Sequence, residues 1–333
     1  MAIKVAINGF GRIGRMVLQA GINDPQIEFV AVNDLTDPNE LAYLFKHDSI
    51  QGHFNGSVEA RENAIVVNGK EIKVFAEKEP KNLPWGELGI DVVVESTGIF
   101  RKKDDMLQHV DAGAKKVLLS APPKGDEPVK IIVKGVNEHT IDKEKDILLS
   151  NASCTTNCLA PMVKVLNDNF KVKKGFLTTV HAYTADQRLV DAPHKDPRRG
   201  RSAAINIVPT TTGAAKAVAE AIPELKGKMD GIAVRVPVAT GSFADFVAEL
   251  GKKATIEEIN KLFRNVSEHH LKGIIQYTEE PLVSSDIIHN PNSCIFDSEM
   301  TNVIDGKLVK IGGWYDNEWG YSCRMIDIVK LMF

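Results

Sequence analysis

The chain has 333 residues, of which 43% are hydrophobic and 26% are charged, which is typical of a globular protein long enough for two domains. Its 41 Lys and Arg residues nearly balance its 44 Asp and Glu residues, and the net charge of -3 gives no general attraction for nucleic acid or anionic membranes. The sequence contains no run of roughly 18 apolar residues. We therefore expect no membrane-spanning helix and no dedicated nucleic-acid site.

The cysteine content indicates free thiols. The four cysteines, Cys154, Cys158, Cys294 and Cys323, are too few for a disulfide framework, and their spacing does not match a zinc site, so we expect no metal. A strand pattern begins at Ile3, which leaves no room for a signal peptide. Together these features predict a cytoplasmic protein.

The first chemical motif is glycine-rich. The apolar run Val5 to Ile7 is followed by the glycine pattern of residues 9–14 and then by helical apolar spacing over 15–20. A second strand pattern, Ile27 to Val32, ends just before Asp34, which lies 20 residues past Gly14. This order of strand, glycine loop, helix and acidic residue predicts a Rossmann-type dinucleotide-binding unit. The alternative is a structural turn with Asp34 as a helix cap.

Each residue of this motif has a physical task in such a unit. Gly9 permits the tight turn, Gly11 lets backbone N–H groups approach a pyrophosphate, and Gly14 lets helix and strand pack closely. The carboxylate of Asp34 would bind the adenosine ribose hydroxyls and repel a 2'-phosphate. The motif therefore predicts NAD rather than NADP as the cofactor.

The rest of the first half predicts more of the same sheet. Asn68-Gly69 separates two apolar runs, which predicts a hairpin. Apolar runs at 92–94, 117–119 and 131–133 predict buried parallel strands. Small residues follow the first two runs, and we expect Thr97 and Ser120 among them to line the cofactor crevice.

Cys154 is the candidate nucleophile of the second half. It lies in the segment Ser153 to Asn157, which has N-cap composition, and helical spacing follows over 159–170. Because Pro161 is disfavoured inside a helix, we expect the helix either to begin between residues 155 and 158 or to be kinked. A helix N-terminus lowers the pKa of a thiol, so the pattern predicts a reactive thiolate at Cys154.

His181 is the best candidate for the base. It ends the strand-like run Thr178 to Val180 and opens a polar segment, whereas the other eight of the nine histidines have no comparable context. The alternative is a buried structural histidine. The basic segment 183–206 has little periodicity, which indicates a functional loop or an interface. Residues 210–213 precede a helical pattern at 214–220, a possible anion-binding helix N-terminus.

The remaining patterns predict strands at 234–237, 243–247 and 308–311, and helices at 255–263 and 325–332. Four segments, at 8–15, 150–161, 179–184 and 314–321, resemble the phosphorylating glyceraldehyde-3-phosphate dehydrogenase family. The resemblance covers essentially the whole chain. It implies an α/β fold with a Rossmann-type dinucleotide-binding domain at 1–152 plus 315–333. It also implies an α+β catalytic domain with a large, mostly antiparallel sheet at 153–314.

The same resemblance implies roles for individual residues. Cys154 would be the nucleophile and His181 the general base of a reaction on glyceraldehyde 3-phosphate and inorganic phosphate. The cofactor-binding residues would be Gly9, Phe10, Gly11, Arg12, Ile13, Gly14, Asp34, Thr97, Ser120, Asn317 and Tyr321. Inorganic phosphate would bind at Ser153, Thr155, Thr212 and Gly213 with Arg199 nearby, and the phosphate of the substrate at Thr184 and Arg235.

The resemblance further implies a homotetramer, with the basic segment packed at an interface beside a neighbour's cofactor. Ala192-Pro193 mixes the family's NAD and NADP signatures, and Asp34 leads us to expect NAD with weak use of NADP at most. An erythrose-4-phosphate dehydrogenase, which shares nearly every motif, is the near alternative. Nucleic-acid or scaffold binding through the dinucleotide groove is the distant one.

Overall fold

The computed structural model describes residues 2–333, which form two compact units. The first unit contains residues up to 132 together with 138–152 and 322–333, and the second contains 133–137 and 153–321. These bounds differ from the predicted domains in two places. Residues 133–137 join the second unit, and the chain returns to the first unit at residue 322 rather than 315. The assignment of a separate role to each domain stays a prediction.

The first unit is composed mainly of short strands, with helices between some of them. Its strands are β1 (Ile3–Asn8), β2 (Ile27–Asn33), β3 (His47–Asp48), β4 (Gly52–His53), β5 (Val58–Arg61), β6 (Ala64–Val67), β7 (Lys70–Phe75), β8 (Val92–Glu95), β9 (Lys116–Leu119), β10 (Lys130–Ile131) and β11 (Leu148–Ser150). Its helices are α1 (Arg12–Gly21), α2 (Pro38–Lys46), α3 (Trp85–Leu88) and α4 (Lys103–Asp111).

The first unit is built on a nine-stranded sheet in the order β10-β11-β9-β8-β1-β2-β7-β6-β5. All neighbours from β10 to β7 run parallel, and β5, β6 and β7 pair antiparallel. The predicted hairpin is confirmed, because Asn68 and Gly69 join β6 to β7 with φ values of 50° and 77°. Of the predicted strand 131–133, only Ile131 belongs to a strand.

The second unit contains the remaining elements. Its strands are β12 (Val172–Ala182), β13 (Val208–Thr211), β14 (Met229–Val236), β15 (Ser242–Leu250), β16 (Ile275–Thr278), β17 (Cys294–Ile304) and β18 (Leu308–Tyr315). Its helices are α5 (Cys154–Phe170), α6 (Ala214–Ala221) and α7 (Ile256–Glu268), and α8 (Trp319–Leu331) carries the chain into the first unit. Helix α8 thus begins six residues before the predicted start at Met325.

A seven-stranded sheet in the order β13-β14-β12-β15-β18-β17-β16 organises the second unit. Four of its six pairings are antiparallel, and β12–β14 and β16–β17 are parallel, so the expectation of a large, mostly antiparallel sheet is confirmed. The predicted helix at 255–263 is present as α7, and Thr255 and Glu258 form a capping box at its start.

Helix α5 begins earlier than Pro161 suggested. The Ser153 hydroxyl caps it by accepting a hydrogen bond from the Thr156 N–H at 3.1 Å, and the first helical residue is Cys154. The helix thus begins one residue before the predicted range of 155–158, and Pro161 lies inside it. Because proline has no backbone N–H, the helix lacks one of its backbone hydrogen bonds at Pro161. The burial of most of the helix offsets this loss of stability.

No helix within residues 2–333 is long and apolar enough to cross a membrane.

Candidate active site

Two elements of the second unit bring the candidate nucleophile and base together. Cys154 is the first residue of α5, and His181 lies near the end of the long strand β12. Their side chains meet with Cys154 Sγ 3.4 Å from His181 Nε2. The thiol is half-buried, so a small molecule can reach it. This distance permits direct proton transfer between sulfur and imidazole.

Backbone and guanidinium groups orient the imidazole of His181. Its Nδ1 lies 2.7 Å from the carbonyl oxygen of Ala182, and the guanidinium of Arg235 lies against the same nitrogen. Arg235 Nη1 also donates to the Ala182 carbonyl at 3.1 Å. We assign the proton to Nδ1 because the Ala182 carbonyl can only accept; Arg235 Nη1, which can only donate, then directs its hydrogen to that carbonyl rather than to Nδ1, and the Nε2 lone pair faces the thiol.

The resting proton state of the pair differs from the expected thiolate. Burial raises the pKa of the Cys154 thiol, although the charge of Arg235 and hydrogen bonds from Thr155 act in the opposite direction. Burial and then the charge of Arg235 lower the pKa of His181 to about 3. Burial therefore opposes the lowering of the thiol pKa that a helix N-terminus predicts. These directions favour a neutral thiol beside a neutral imidazole, and the thiol proton moves to the base when the sulfur reacts.

Arg235 supplies an anion-binding feature beside this pair. Its Nε is buried and has no hydrogen-bond partner among residues 2–333. Burial lowers the pKa of Arg235, and the nearby charge of Arg199 lowers it further. Two guanidinium groups close enough to influence each other, one with an unsatisfied buried N–H, favour a bound anion.

The first unit contains a separate pocket of about 600 Å³, whose lining includes Gly9, Gly11, Asp34 and Thr97. Gly9 has φ +90°, and a Cβ atom there would lie 2.6 Å from the Thr97 nitrogen. A Cβ on Gly11 would meet nothing within 4 Å and would project into open space, whereas one on Gly14 would lie 2.2 Å from the Gly9 carbonyl oxygen. The contacts of Gly9, Gly11 and Gly14 therefore agree with their predicted roles, which are the tight turn, the exposed backbone and the close packing of helix on strand. The residues of this pocket fit a bound dinucleotide.

Asp34 carries a structural task in that pocket. Its Oδ2 accepts a hydrogen bond from the Phe10 N–H at 2.8 Å, and its Oδ1 accepts one from the Thr36 N–H at 3.1 Å. The carboxylate therefore holds the glycine-rich turn while also lining the pocket. A negative charge at this position disfavours a 2'-phosphate.

Comparison with known proteins places both units in one family. A family model described as glyceraldehyde 3-phosphate dehydrogenase, NAD binding domain, matches residues 3–103, and the C-terminal domain model of the same family matches residues 153–317. The chain belongs to the glyceraldehyde-3-phosphate dehydrogenase family. It is 56% identical to glyceraldehyde-3-phosphate dehydrogenase 2 of Streptomyces avermitilis over 98% of both chains. It is also 56% identical to the Geobacillus stearothermophilus enzyme of that name over 98% of this chain and 97% of the relative.

Within this glyceraldehyde-3-phosphate dehydrogenase family member, the predicted cofactor residues lie in different environments. The Phe10 side chain is 1% exposed and stacks on Phe45, so only its backbone faces the turn. Arg12 forms an ion pair with Asp48. Ser120 follows β9 and is half-buried, but it is not among the residues that line the pocket. Ile13, half-buried on α1, and Tyr321, buried on α8, are likewise not among the residues that line the pocket.

Asn317 is held in one orientation by hydroxyl groups. Its Oδ1 accepts hydrogen bonds from Ser242 Oγ at 2.8 Å and Thr240 Oγ1 at 3.2 Å, and the residue is 6% exposed. Ser242 directs its hydroxyl hydrogen at the Asn317 oxygen, and Thr240 shares its single hydroxyl hydrogen between this oxygen and Asp316 Oδ1 at 3.1 Å, which leaves the amide Nδ2 of Asn317 as a donor. No sequence pattern marks these two orienting residues, because each is an isolated hydroxyl residue: Thr240 lies in the bend between β14 and β15, and Ser242 is the first residue of β15.

The predicted phosphate-binding residues of α5 have partners of their own. Ser153 is the helix cap, and its Oγ lies 2.8 Å from Thr156 Oγ1. The Thr155 hydroxyl is buried at 2.8 Å from Tyr315 Oη. In this conformation the Thr155 hydroxyl contacts Tyr315, and because a hydroxyl both donates and accepts, it can keep this contact while it donates to a phosphate.

Apart from Arg235, the other predicted phosphate-binding residues lie in the basic segment 183–206 or directly before α6. Arg199 pairs with Asp186 and donates to Thr210 Oγ1 at 2.9 Å. Gly213 caps α6 and is exposed, and the Thr212 hydroxyl accepts a hydrogen bond from the Ala214 N–H at 3.2 Å. Thr184 is half-buried and donates its backbone N–H to Gln187 Oε1 at 3.4 Å.

Tyr315 is the main supporting residue that sequence analysis did not single out. Its hydroxyl bridges Thr155 at 2.8 Å and Thr179 at 2.9 Å, and its ring lies edge-on to His181 with centroids 6.0 Å apart. Burial raises the pKa of Tyr315, so its hydroxyl stays neutral. It thereby ties α5, β12 and β18 together behind the thiol and imidazole. The segment 314–321 is one of the four segments that carry the family resemblance, but only the fold shows which of its residues lies behind the base.

Proposed function

We propose that this protein catalyses the NAD-dependent oxidation of D-glyceraldehyde 3-phosphate with inorganic phosphate to give 1,3-bisphosphoglycerate. The observation that best supports this proposal is the position of the Cys154 thiol, 3.4 Å from His181 Nε2 and beside Arg235, whose buried Nε has no hydrogen-bond partner among residues 2–333. A thiol with a neutral base suits attack on an aldehyde, and a neighbouring guanidinium suits a phosphorylated one. Membership of the family and the glycine-rich pocket support the choice of cofactor.

The first step is attack by sulfur. His181 Nε2 takes the thiol proton while Cys154 Sγ bonds to the aldehyde carbon, and His181 then returns this proton to the oxyanion that forms, which gives a thiohemiacetal and a neutral imidazole. The negative charge that develops on oxygen is stabilised by the backbone N–H of Cys154 at the N-terminus of α5. The guanidinium of Arg235 and the hydroxyl of Thr184 bind the phosphate group of the substrate and so place its aldehyde at the sulfur.

The second step oxidises the bound substrate. His181 accepts the hydroxyl proton of the thiohemiacetal, and the carbon loses its hydride to become a thioester on Cys154. Bound NAD supplies the hydride acceptor. Gly9, Gly11 and Gly14 with Asp34 would hold the dinucleotide, and Asn317 Nδ2 would donate to the nicotinamide amide. Sulfur is needed because a thioester keeps enough of the oxidation energy for transfer to phosphate, whereas a serine ester is less reactive.

The third step transfers the acyl group. Inorganic phosphate attacks the thioester carbon, the bond to Cys154 Sγ breaks, and the sulfur regains its proton from His181. Ser153, Thr212 and Gly213, with the charge of Arg199, would bind the attacking phosphate at the starts of α5 and α6. The hydroxyl of Thr155 would join this set by donating to the phosphate while it accepts from Tyr315 Oη.

The proposed function predicts a simple absorbance result. Purified protein with glyceraldehyde 3-phosphate, phosphate and NAD should reduce NAD, which the absorbance of the reduced nicotinamide reports. Omission of phosphate should leave a burst of about one turnover per site, since the thioester then accumulates. Because of Asp34, kcat/KM should be higher with NAD than with NADP. Failure to reduce either cofactor would contradict the function, and equal or higher kcat/KM with NADP would contradict the cofactor preference.

The same assay separates the near alternative. We expect erythrose 4-phosphate to react more slowly than glyceraldehyde 3-phosphate, and the reverse order would favour an erythrose-4-phosphate dehydrogenase.

A cytoplasmic homotetramer is the proposed assembly. Phe176 and Val180 on β12 and Ile232 on β14 lie exposed on one face of the second sheet. The basic segment exposes more apolar side chains, among them Ile205 at 79% and Ile207 at 69%. Apolar surface of this extent is characteristic of a contact with another protein, and a symmetric second copy is the simplest occupant.

Light scattering on the wild type tests the assembly. The mass in solution should be four times the 36.5 kDa subunit, and the double variant Ile205→Glu/Ile207→Glu should form smaller species because it places charge on the apolar surface. A monomeric wild type, or a double variant that stays tetrameric at every concentration tested, would contradict this assignment.

A further inference from the structure

A buried carboxylate lies beneath the dinucleotide pocket of the first unit. Glu95 ends β8 and is 1% exposed. Its Oε1 accepts hydrogen bonds from the Thr97 N–H at 2.8 Å and from the Thr97 hydroxyl. Its Oε2 accepts from Asn8 Nδ2 at 2.6 Å and lies 3.1 Å from His109 Nε2. Four donors thus surround one carboxylate, and none of them belongs to Lys or Arg.

The direction of each hydrogen bond in this cluster is determined. The indole N–H of Trp85 can only donate, and it lies 3.1 Å from His109 Nδ1. His109 Nδ1 therefore accepts, and its proton is on Nε2, which donates to Glu95. His109 is fully buried, so no water can alter this order.

The other side of the cluster is polarised in the same way. Asn8 Oδ1 accepts from Asn33 Nδ2 at 2.7 Å, which leaves Asn8 Nδ2 to donate to Glu95. Asn33 Oδ1 in turn accepts from the Glu77 N–H at 2.8 Å. Donors converge on Glu95 from both sides, and an ionised carboxylate is the one side chain of this size that accepts from all of them.

This cluster meets the pocket at Thr97 and Gly9. Thr97 lines the pocket, and Glu95 binds both its backbone N–H and its hydroxyl. The Thr97 nitrogen lies so close to Gly9 that a Cβ at Gly9 would be 2.6 Å away. Between them, Ser96 Oγ donates to the Gly9 carbonyl at 2.7 Å. A shift of Thr97 would therefore displace the turn on which pyrophosphate binding depends.

We propose that Glu95 is a positioning residue for NAD, acting through Thr97 and the Gly9 turn rather than by touching the cofactor. The inference rests on the proposed use of NAD. His109 and Asn8 hold the carboxylate of Glu95, and the carboxylate in turn fixes the position of Thr97 relative to the turn at Gly9. The Trp85–His109 pair keeps the donor on the correct imidazole nitrogen, so the indole influences the pocket although it lies in the core.

The variant Glu95→Gln tests the proposal, because glutamine has nearly the same shape as glutamate but replaces one acceptor oxygen with an NH₂ donor. The glutamine NH₂ would face donors that already point at this position, so Thr97 or the Asn8–His109 side must move. We expect the NAD dissociation constant, measured by calorimetry, to rise about tenfold to hundredfold. At saturating NAD, kcat should stay within about threefold of the wild type, because the thiol and base are in the other unit.

Asp297→Asn is the matched control. Asp297 is 2% exposed in the second unit, and its carboxylate accepts from the Trp314 indole N–H at 3.0 Å and the Glu299 N–H at 3.1 Å. The same chemical change there should lower the melting temperature and leave the NAD dissociation constant within about twofold of the wild type.

The outcomes separate this inference from the proposed function. A wild type that does not bind NAD contradicts the proposed function. A wild type that binds NAD, with Glu95→Gln melting lower but binding NAD equally well, overturns the positioning role and leaves the function intact. If Glu95→Gln does not fold, Trp85→Phe takes its place. It removes the donor to His109 Nδ1 together with part of a buried ring, and it should raise the NAD dissociation constant severalfold; an unchanged constant overturns the inference.

Discussion

Replacing Cys154 with serine is expected to reduce the rate of NAD reduction by on the order of 10⁴-fold or more, the scale on which loss of a nucleophile acts. The serine hydroxyl is a much weaker nucleophile than the thiol, and its much higher pKa makes proton transfer to His181 far less favourable than proton transfer from sulfur. Any ester that formed would also react slowly with phosphate. Both the steady-state rate and the burst without phosphate should disappear, as followed by absorbance of the reduced cofactor.

Two controls distinguish loss of chemistry from loss of structure. Cys154→Ser should bind NAD as the wild type does, because the dinucleotide pocket is formed by residues of the first unit. Cys323→Ser changes another half-buried thiol that lies outside the candidate site, and it should keep its activity. Substantial activity in Cys154→Ser would exclude a thioester and would reopen a binding role for the dinucleotide groove.

Replacing His181 with glutamine should lower kcat by about 10²–10⁴-fold, the contribution of a positioned general base. Glutamine keeps polar contact with the Ala182 carbonyl but cannot accept the thiol proton. The KM for glyceraldehyde 3-phosphate should change little, since Arg235 and Thr184 are proposed to bind its phosphate. Steady-state kinetics on the variant, with His139→Gln at an exposed position as the matched control, measures both constants.

The pH dependence gives a second measure of this base. Burial raises the pKa of the Cys154 thiol, so the reactive thiolate increases as pH rises, and wild-type kcat/KM should increase from about pH 7 towards and beyond about 9. Because the pKa of His181 is about 3, its protonation should not limit the rate near the ordinary histidine pKa of about 6.5. An acid limb centred near that ordinary value, absent in His181→Gln, would contradict this proton state.

Local sequence patterns were sufficient for much of the first unit. The glycine spacing of 9–14 and the acidic residue after β2 predicted the turn, and their structural places agree with that prediction. Asn68-Gly69 predicted its hairpin because positive φ at both positions is a local requirement. The hydroxyl-rich segment before α5 likewise predicted a helix start, since capping depends on residues within one turn.

Properties that depend on distant residues were beyond such patterns. Pro161 on its own argues against a continuous helix around residue 161. It nevertheless lies inside α5, because the burial that makes it tolerable comes from the rest of the second unit. The thiol pKa was expected to fall, since a helix N-terminus is visible in sequence. Desolvation of Cys154, which raises the pKa, arises only when the chain has folded around it.

The sequence by itself therefore determined the cofactor motif, the nucleophile and the preferred base, because each is encoded by residue types within a short window. The tertiary structure alone decided that Sγ and Nε2 lie 3.4 Å apart, that Tyr315 supports them and that Glu95 lies beneath the dinucleotide pocket. These contacts join residues separated by up to 160 positions along the chain. Their distances follow from how sheets and helices pack, which no local pattern of residues specifies.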